Sequence, residues 1–298
     1  MKKNSKISGG PIFNLINNTF LIFCFLIVFY PLLYIVVSSF SSPEAVIAGK
    51  VWLYPVEPTF RAYTTIFKDS AIVTGYLNSL FYTVSGTIIN VIITIMAAYP
   101  LSRKDLAGKN IIMFLFTFTM FFSGGMIPTY LVVKDLKLIN TVWAMLIPSA
   151  LSVWNVIITK TFFQTNIPNE LLESAQIDGC TNMKFILKIV LPLSAPIIAV
   201  ITLFYGVGNW NAYFNALLYL KSSSLYPLQI VLRNILILNQ VDPKMFSGLS
   251  LEAQQSKQYI SILLKFALVV VSSLPVLIAY PFVQKHFVKG IMLGSIKG

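Results

Sequence analysis

The sequence predicts an all-α integral membrane protein of six transmembrane helices with both termini cytoplasmic. Three observations carry this. Charged residues make up 11% of the 298-residue chain and hydrophobic residues 56%, whereas soluble domains carry about 25% charged residues. The charges are gathered so that 7–43, 70–102, 110–133, 138–159, 189–220 and 266–284 contain no ionised side chain. Lys2, Lys3, Lys6, Arg103, Lys104, Lys109, Lys285, Lys289 and Lys297 all fall on one side if six spans alternate, and the positive-inside rule makes that side cytoplasmic. Buried helices of a large soluble core would need polar outer faces that these intervals lack.

Each interval holds enough apolar residues for a span, which takes about 20 to cross about 30 Å of hydrocarbon. The chain opens MKKNSKISGG and runs apolar through Val37. That run is too long for a secretory leader and has no small-x-small cleavage site, so it is the first span, near 17–40. The others fall near 77–101, 111–133, 140–160, 190–220 and 264–284. Two extracytoplasmic loops are long, 41–76 and 221–261, and the longest cytoplasmic loop is 161–188. With no repeat and no low-complexity linker, residues 1–298 read as a single membrane domain.

The second outer loop contains PLQIVLRNILIL, where Leu228, Val231, Leu232 and Ile235 share a helical face. With Arg233 inside it and only about a dozen residues, it fits an amphipathic surface helix better than a seventh span. The fifth interval would run roughly 48 Å as straight helix at about 1.5 Å per residue, so it must tilt, protrude or break. The expected break is YGVGNWNAYFN, where Gly206, Gly208 and asparagines surround Trp210. Prolines at 31, 100, 148, 192, 196, 275 and 281 lie within or beside spans, where each removes a helix hydrogen bond and tends to kink the axis. The Asn209-Trp210-Asn211 patch is either an interfacial aromatic belt or a pathway-facing group that hydrogen-bonds hydroxyls while the indole packs on a sugar ring.

Composition also bounds the chemistry. The net charge of +12 is explained by membrane orientation without invoking nucleic acid. One histidine and two separated cysteines cannot supply an ordinary zinc site, so no metal is implied, and Cys24 and Cys180 fall in different environments. No paired-carboxylate or histidine-centred catalytic arrangement can be placed, so the chain is not read as an enzyme. No Asp or Glu lies in a span, although proton-coupled carriers usually depend on intramembrane ionisable groups. Sodium can be held by carbonyls and hydroxyls, which leaves an ion-coupled carrier open. No phosphate-cradling G-x-x-x-x-G-K-[ST] occurs either. If this protein moves a solute uphill, another polypeptide supplies the work.

One stretch stands apart. Residues 168–180 read PNELLESAQIDGC, and Glu170, Glu173 and Asp178 cluster there in a chain with ten acidic residues. The expectation is a short cytoplasmic helix with Asn169 as N-cap and early acids favoured by the helix dipole. Leu171, Leu172 and Ala175 form an apolar face, Gly179 closes the helix in a left-handed conformation, and Thr181 caps the next helix. Acid facing an anionic inner leaflet is repelled, so this face makes more sense against a protein; a solvated connector helix is the plainer alternative.

Glu173-Ser174-Ala175, Asp178-Gly179, then Ile189, Leu191-Pro192 and Pro196 resemble the EAA loop of binding-protein-dependent ABC importer permeases. Ser174 stands where alanine is usual, and so does Cys180. The resemblance extends over most of the chain: six spans, the Asn78-Ser79 pair, the 209–211 patch and the ending YPFVQKHFVKGIMLGSIKG are similar to the carbohydrate (maltose-type) group, nearest its branch for oligosaccharides released from polysaccharides. It implies an ABC importer type I permease fold in a bacterial cytoplasmic membrane. It implies that Glu170, Leu171, Leu172, Glu173, Ser174, Ala175, Asp178 and Gly179 belong to a coupling helix seated on a cytoplasmic ATPase. It also implies a second permease subunit, two ATPase chains that bind ATP and Mg, and an extracytoplasmic sugar-binding protein reached by 221–261. This chain would itself hold no cofactor. Asn78, Ser79, Asn209, Trp210 and Asn211 are the residues so proposed for the substrate pathway. An ABC permease for another solute, such as an amino acid or peptide, and an assembly protein without transport stay open beside it.

Overall fold

The computed structural model describes residues 10–238, 262 and 264–281. Among these, every regular element is helical. The chain forms two compact units, Met1–Asp69 with Ile235–Ser273, and Ser70–Asn234 with Leu274–Gly298. The basic N-terminal residues, most of the 221–261 loop and the closing segment beyond Pro281 lie outside the described residues.

In the first unit, α1 (Pro11–Ser39) starts at a proline, whose missing N–H is no loss in the first turn. Its side chains are exposed along most of its length and overwhelmingly apolar. Hydrocarbon or another apolar surface is the environment that suits such a helix. The segment that follows is folded rather than open. Helix α2 (Pro43–Ile47) is capped by Ser42, whose Oγ accepts from Ala45 N and donates to Glu57 Oε2 at 2.8 Å. Ser41 Oγ donates to Val37 O and accepts from Val56 N. Phe40 stacks on Tyr63 of α3 (Arg61–Lys68) at 4.9 Å between centroids. The serine run thus supplies the polar ends that the loop backbone needs.

The second unit is organised by α4 (Ser70–Ser102), 33 residues or about 50 Å long at 1.5 Å per residue. It begins before the expected span at 77 and packs chiefly against α8 (Val153–Asn166) and α12 (Ala195–Trp210). Between α4 and α8 lie α5 (Lys109–Phe121), α6 (Met126–Asp135) and α7 (Trp143–Leu146). After α8 come α9 (Asn169–Ile177), then α10 (Asn182–Phe185), a π-helical turn (Ile186–Val190) and α11 (Leu191–Leu193) leading into α12. Helix α13 (Tyr213–Tyr219) follows, and then α14 (Leu228–Leu238) and α15 (Leu264–Pro281), each of which has residues in both units. The expected amphipathic helix is α14, with Leu228 and Leu232 buried.

Three of the six expected spans differ from straight helices. Residues 111–133 are not one rod: α5 and α6 meet at 114°. The break is Phe122–Gly125, where two adjacent glycines each cost about 1 kcal/mol of helix propensity. Residues 140–160 contain only the single turn of α7 and the first half of α8. Pro148 lacks the N–H to continue a helix, and polar side chains described below take over the freed backbone. The fifth interval bends by 82° between Leu193 and Ala195. That is earlier than expected, because Pro192 and Pro196 bracket Ser194 while Gly206 and Gly208 stay helical; α12 then stops at Trp210. Helices α1, α4 and α15 are each long and apolar enough to cross a membrane, and the count among the described residues reaches five if each bent pair is one span.

Candidate functional site

Helix α9 is the acidic stretch. Pro168, with φ −61° and ψ 146°, is its N-cap, and Asn169 is instead the first helical residue, making no side-chain cap. The ring fixes φ near −65°, a value this extended N-cap conformation accepts, and the helix starts one residue earlier than an Asn169 cap would give. Glu170 lies in the first turn, where its charge complements the helix dipole. Ser174 Oγ donates back to Glu170 O at 2.8 Å.

The helix ends as the glycine requires. Gly179 has φ +71°, Gly179 N donates to Gln176 O at 3.0 Å, and Cys180 N donates to Ala175 O at 2.8 Å. This paired closure satisfies carbonyls of the last turn and needs a residue in the left-handed region. Thr181 then caps α10, its Oγ1 accepting from Lys184 N at 3.4 Å.

Ala175 is buried, and Leu172 and Cys180 are half-buried, in a core with Ala98, Tyr99, Leu101, Val156 and Phe163. Glu170, Glu173, Ser174, Asp178 and Gly179 are exposed. Leu171 is 40% exposed, departing from the expected apolar face, and Ile177 is 88% exposed. The helix is therefore anchored from one side and offers acid and isolated aliphatic groups on the other.

Beside it, at the end of α4, Arg103 donates from Nε and Nη2 to both carboxylate oxygens of Asp105, at 2.7 and 2.6 Å. The guanidinium holds the exposed Asp105 carboxyl below the usual carboxylate range, and the same bond raises the arginine. Arg103 Nη1 also donates to Asn182 Oδ1 at 2.9 Å and Tyr99 Oη at 3.2 Å.

A second feature lies further along α4. A cavity of about 620 Å³ is formed by side chains of the α7–α8 connection, the end of α12 and the start of α13. Its polar lining comprises Ser149, Ser152, Tyr205, Asn209, Asn211, Tyr213 and Asn215, with Phe204 and Phe214 adding rings. No charged side chain lines it. Such a surface can hydrogen-bond a hydroxyl-rich solute and stack against its apolar ring faces.

Its wall is held by a buried network. Asn209 Nδ2 donates to Asn90 Oδ1 at 3.0 Å, and Asn90 Nδ2 donates to Ser149 O at 2.6 Å. Tyr205 Oη accepts from Ser152 N at 3.0 Å and pairs with Thr94 Oγ1 at 2.6 Å. Asn215 Nδ2 donates to Ser149 Oγ at 3.0 Å. Buried backbone outside a helix must find other partners, and these side chains supply them for Ser149 O and Ser152 N. The close approach of α12 depends on Gly86, where a Cβ would stand 2.8 Å from Asn209 Nδ2.

The residues singled out from sequence separate accordingly. Asn209 and Asn211 reach the cavity, and Asn211 Nδ2 also donates to Val207 O. Trp210 is buried with its ring edge-on to Tyr76 at 5.7 Å between centroids. Asn78 and Ser79 are not in the cavity lining. Asn78 Nδ2 donates to Ser224 O and Tyr226 O, and Ser79 Oγ accepts from Leu228 N at 2.8 Å. They tie α4 to the segment entering α14. Asn90, Thr94 and Tyr205 went unnoticed in the sequence. Thr87, Asn90 and Thr94 recur at helical spacing along α4, which was the available signal.

Residues 70–293 match the profile of the binding-protein-dependent transport system inner membrane component family. The chain belongs to that family. This permease is 45% identical over 287 residues to the polygalacturonan/rhamnogalacturonan transport system permease protein YtcP of Bacillus subtilis (strain 168), covering 96% of this chain and 99% of the relative. It is 42% identical over 291 residues to protein LplC of the same organism, covering 97% and 96%. Among solved structures, a bacterial ABC transporter involved in import of the acidic polysaccharide alginate contains a chain with TM-score 0.86 and 34% identity, covering 96% of this permease and 99% of that chain. The permease is thus a multi-pass membrane component of an ABC transport system with the family's helical fold.

Proposed function

We propose that this permease forms half of the translocation pathway for an oligosaccharide and is driven by ATP hydrolysis in partner chains that dock on α9. The pathway runs past the cavity of uncharged amides, hydroxyls and rings; that cavity is the observation that carries the reading, because neither an ion-coupling acid nor a phosphate cradle accompanies it. Its partners are a second permease subunit, two copies of a cytoplasmic ATPase holding ATP and Mg, and an extracytoplasmic solute-binding protein. The similarity to a permease named for polygalacturonan/rhamnogalacturonan transport and to a chain of a transporter that imports the acidic polysaccharide alginate supports a polysaccharide fragment as cargo. The exposed Glu170, Glu173 and Asp178, backed by buried Ala175, support α9 as the docking element.

The test is uptake by the complete transporter in vesicles. ATP should drive accumulation of galacturonate- or alginate-type oligosaccharide, and an imposed ion gradient without ATP should not. Glu173→Lys and Gly179→Pro should abolish uptake while membrane insertion persists. Accumulation driven by the gradient alone, or normal uptake by both variants, would refute the proposal.

A further inference from the structure

We propose that Arg103 is a positioning residue that clamps the head of α10 to the end of α4, so that displacement of α9 reaches the cavity wall along α4. The inference rests on α9 being the element that receives the push. The guanidinium is 14% exposed in its side chain and spends two donors on Asp105. That bidentate pair fixes the plane of the fork and leaves Nη1 aimed at Asn182 Oδ1, 2.9 Å away. Tyr99 steadies the same nitrogen through its hydroxyl, and the guanidinium carbon lies 5.9 Å from the centre of its ring. Lys109 Nζ donates to Arg103 O at 3.2 Å, tying down the backbone beneath.

Position gives the contact its meaning. Asn182 opens α10 just after the Gly179 closure and the Thr181 cap. Arg103 directly follows Ser102, the last residue of α4. On the same helix Thr94 and Asn90, about 12 and 18 Å up its axis from Ser102, hold Tyr205, Asn209 and the 149–152 backbone. The apolar core around Ala175 resists separation of α9 from α4 but is non-directional. The hydrogen bond from Arg103 adds the direction. A lysine in its place keeps the positive charge that favours cytoplasmic location yet cannot span Asp105 and Asn182 together.

The experiment measures sugar imported per ATP hydrolysed by the complete reconstituted transporter with its binding protein. Arg103→Lys and Asn182→Leu should each lower that ratio about fivefold or more, with normal membrane yield and subunit assembly. The double variant should be no worse than either single one, and Asn182→Asp, which keeps the acceptor, should retain coupling. A wild-type ratio in Arg103→Lys, or losses that multiply in the double variant, overturns the clamp. Wild-type transporter that hydrolyses ATP without importing sugar defeats instead the functional reading beneath it.

Discussion

Replacing Gly86 by alanine places a methyl carbon 2.8 Å from Asn209 Nδ2 and 3.1 Å from its Cγ. Asn209 cannot yield freely, because the same nitrogen donates to Asn90 Oδ1 at 3.0 Å. Either α4 and α12 move apart, at the cost of about 1–3 kcal/mol for overpacking, or the amide turns away. Turning gives up an interhelical hydrogen bond worth about 0.6–1.7 kcal/mol in a membrane protein. Alanine returns about 1 kcal/mol of helix propensity, so the net destabilisation is about 0–2 kcal/mol. The assay is reversible unfolding of the permease in mixed micelles for Gly86→Ala, Asn209→Ala and the double variant. Removing the Asn209 amide relieves the clash, so the double variant should be more stable, by about 0.6 kcal/mol or more, than the sum of the single effects predicts. Gly208→Ala is the control: nothing lies within 4 Å of its Cβ, and that change should be neutral or slightly stabilising. Additive single effects, or equal losses at 86 and 208, would refute the close-approach argument.

Tyr205→Phe removes the acceptor of Ser152 N and the partner of Thr94 Oγ1, and should cost about 1–3 kcal/mol in the same unfolding assay. Asn140 sits at φ +61° and its Oδ1 accepts from Lys221 N and Ser222 N, both at 2.9 Å. Asn140→Gly should therefore lose the bonds but relieve the backbone, and prove more stable than Asn140→Ala by about 1 kcal/mol. Gly179→Asn should keep more uptake than Gly179→Ala, since asparagine tolerates the left-handed region better; equal transport by the two would contradict the assigned closure. Asp105 titrates lower folded than unfolded because of Arg103, so its contribution is present above the unfolded value of about 3.9 and is lost as pH falls through the folded one. Asp105→Asn should flatten that acid limb of the stability profile, measured as unfolding midpoint against pH.

Much of the protein's character is written locally. The charge-free intervals mark the apolar stretches because the cost of a charge in hydrocarbon is paid residue by residue. The 168–180 helix, its glycine closure and the Thr181 cap follow from short-range backbone needs, and so do the long helices at α1, α4 and α15. Asn169 has the capping side chain, yet Pro168 takes the extended N-cap position and the helix starts at Asn169. The bends between α5 and α6 and at Ser194 had glycine and proline signals, yet hydrophobicity alone reads straight through them.

Only the tertiary structure decided which polar side chains meet. Asn90 and Asn209 are 119 positions apart in the chain, Arg103 and Asn182 are 79 apart, and no local pattern pairs them. The same holds for Asn78 and Ser79, whose partners lie just before α14 and at its first residue. A buried amide or hydroxyl must find a partner, but which partner depends on helices brought side by side, and that approach turns on a missing methyl group at Gly86. The sequence by itself determined a chain of long apolar stretches interrupted by one short acidic helix; the packing of α4 against α8 and α12 decided which side chains bound the uncharged cavity.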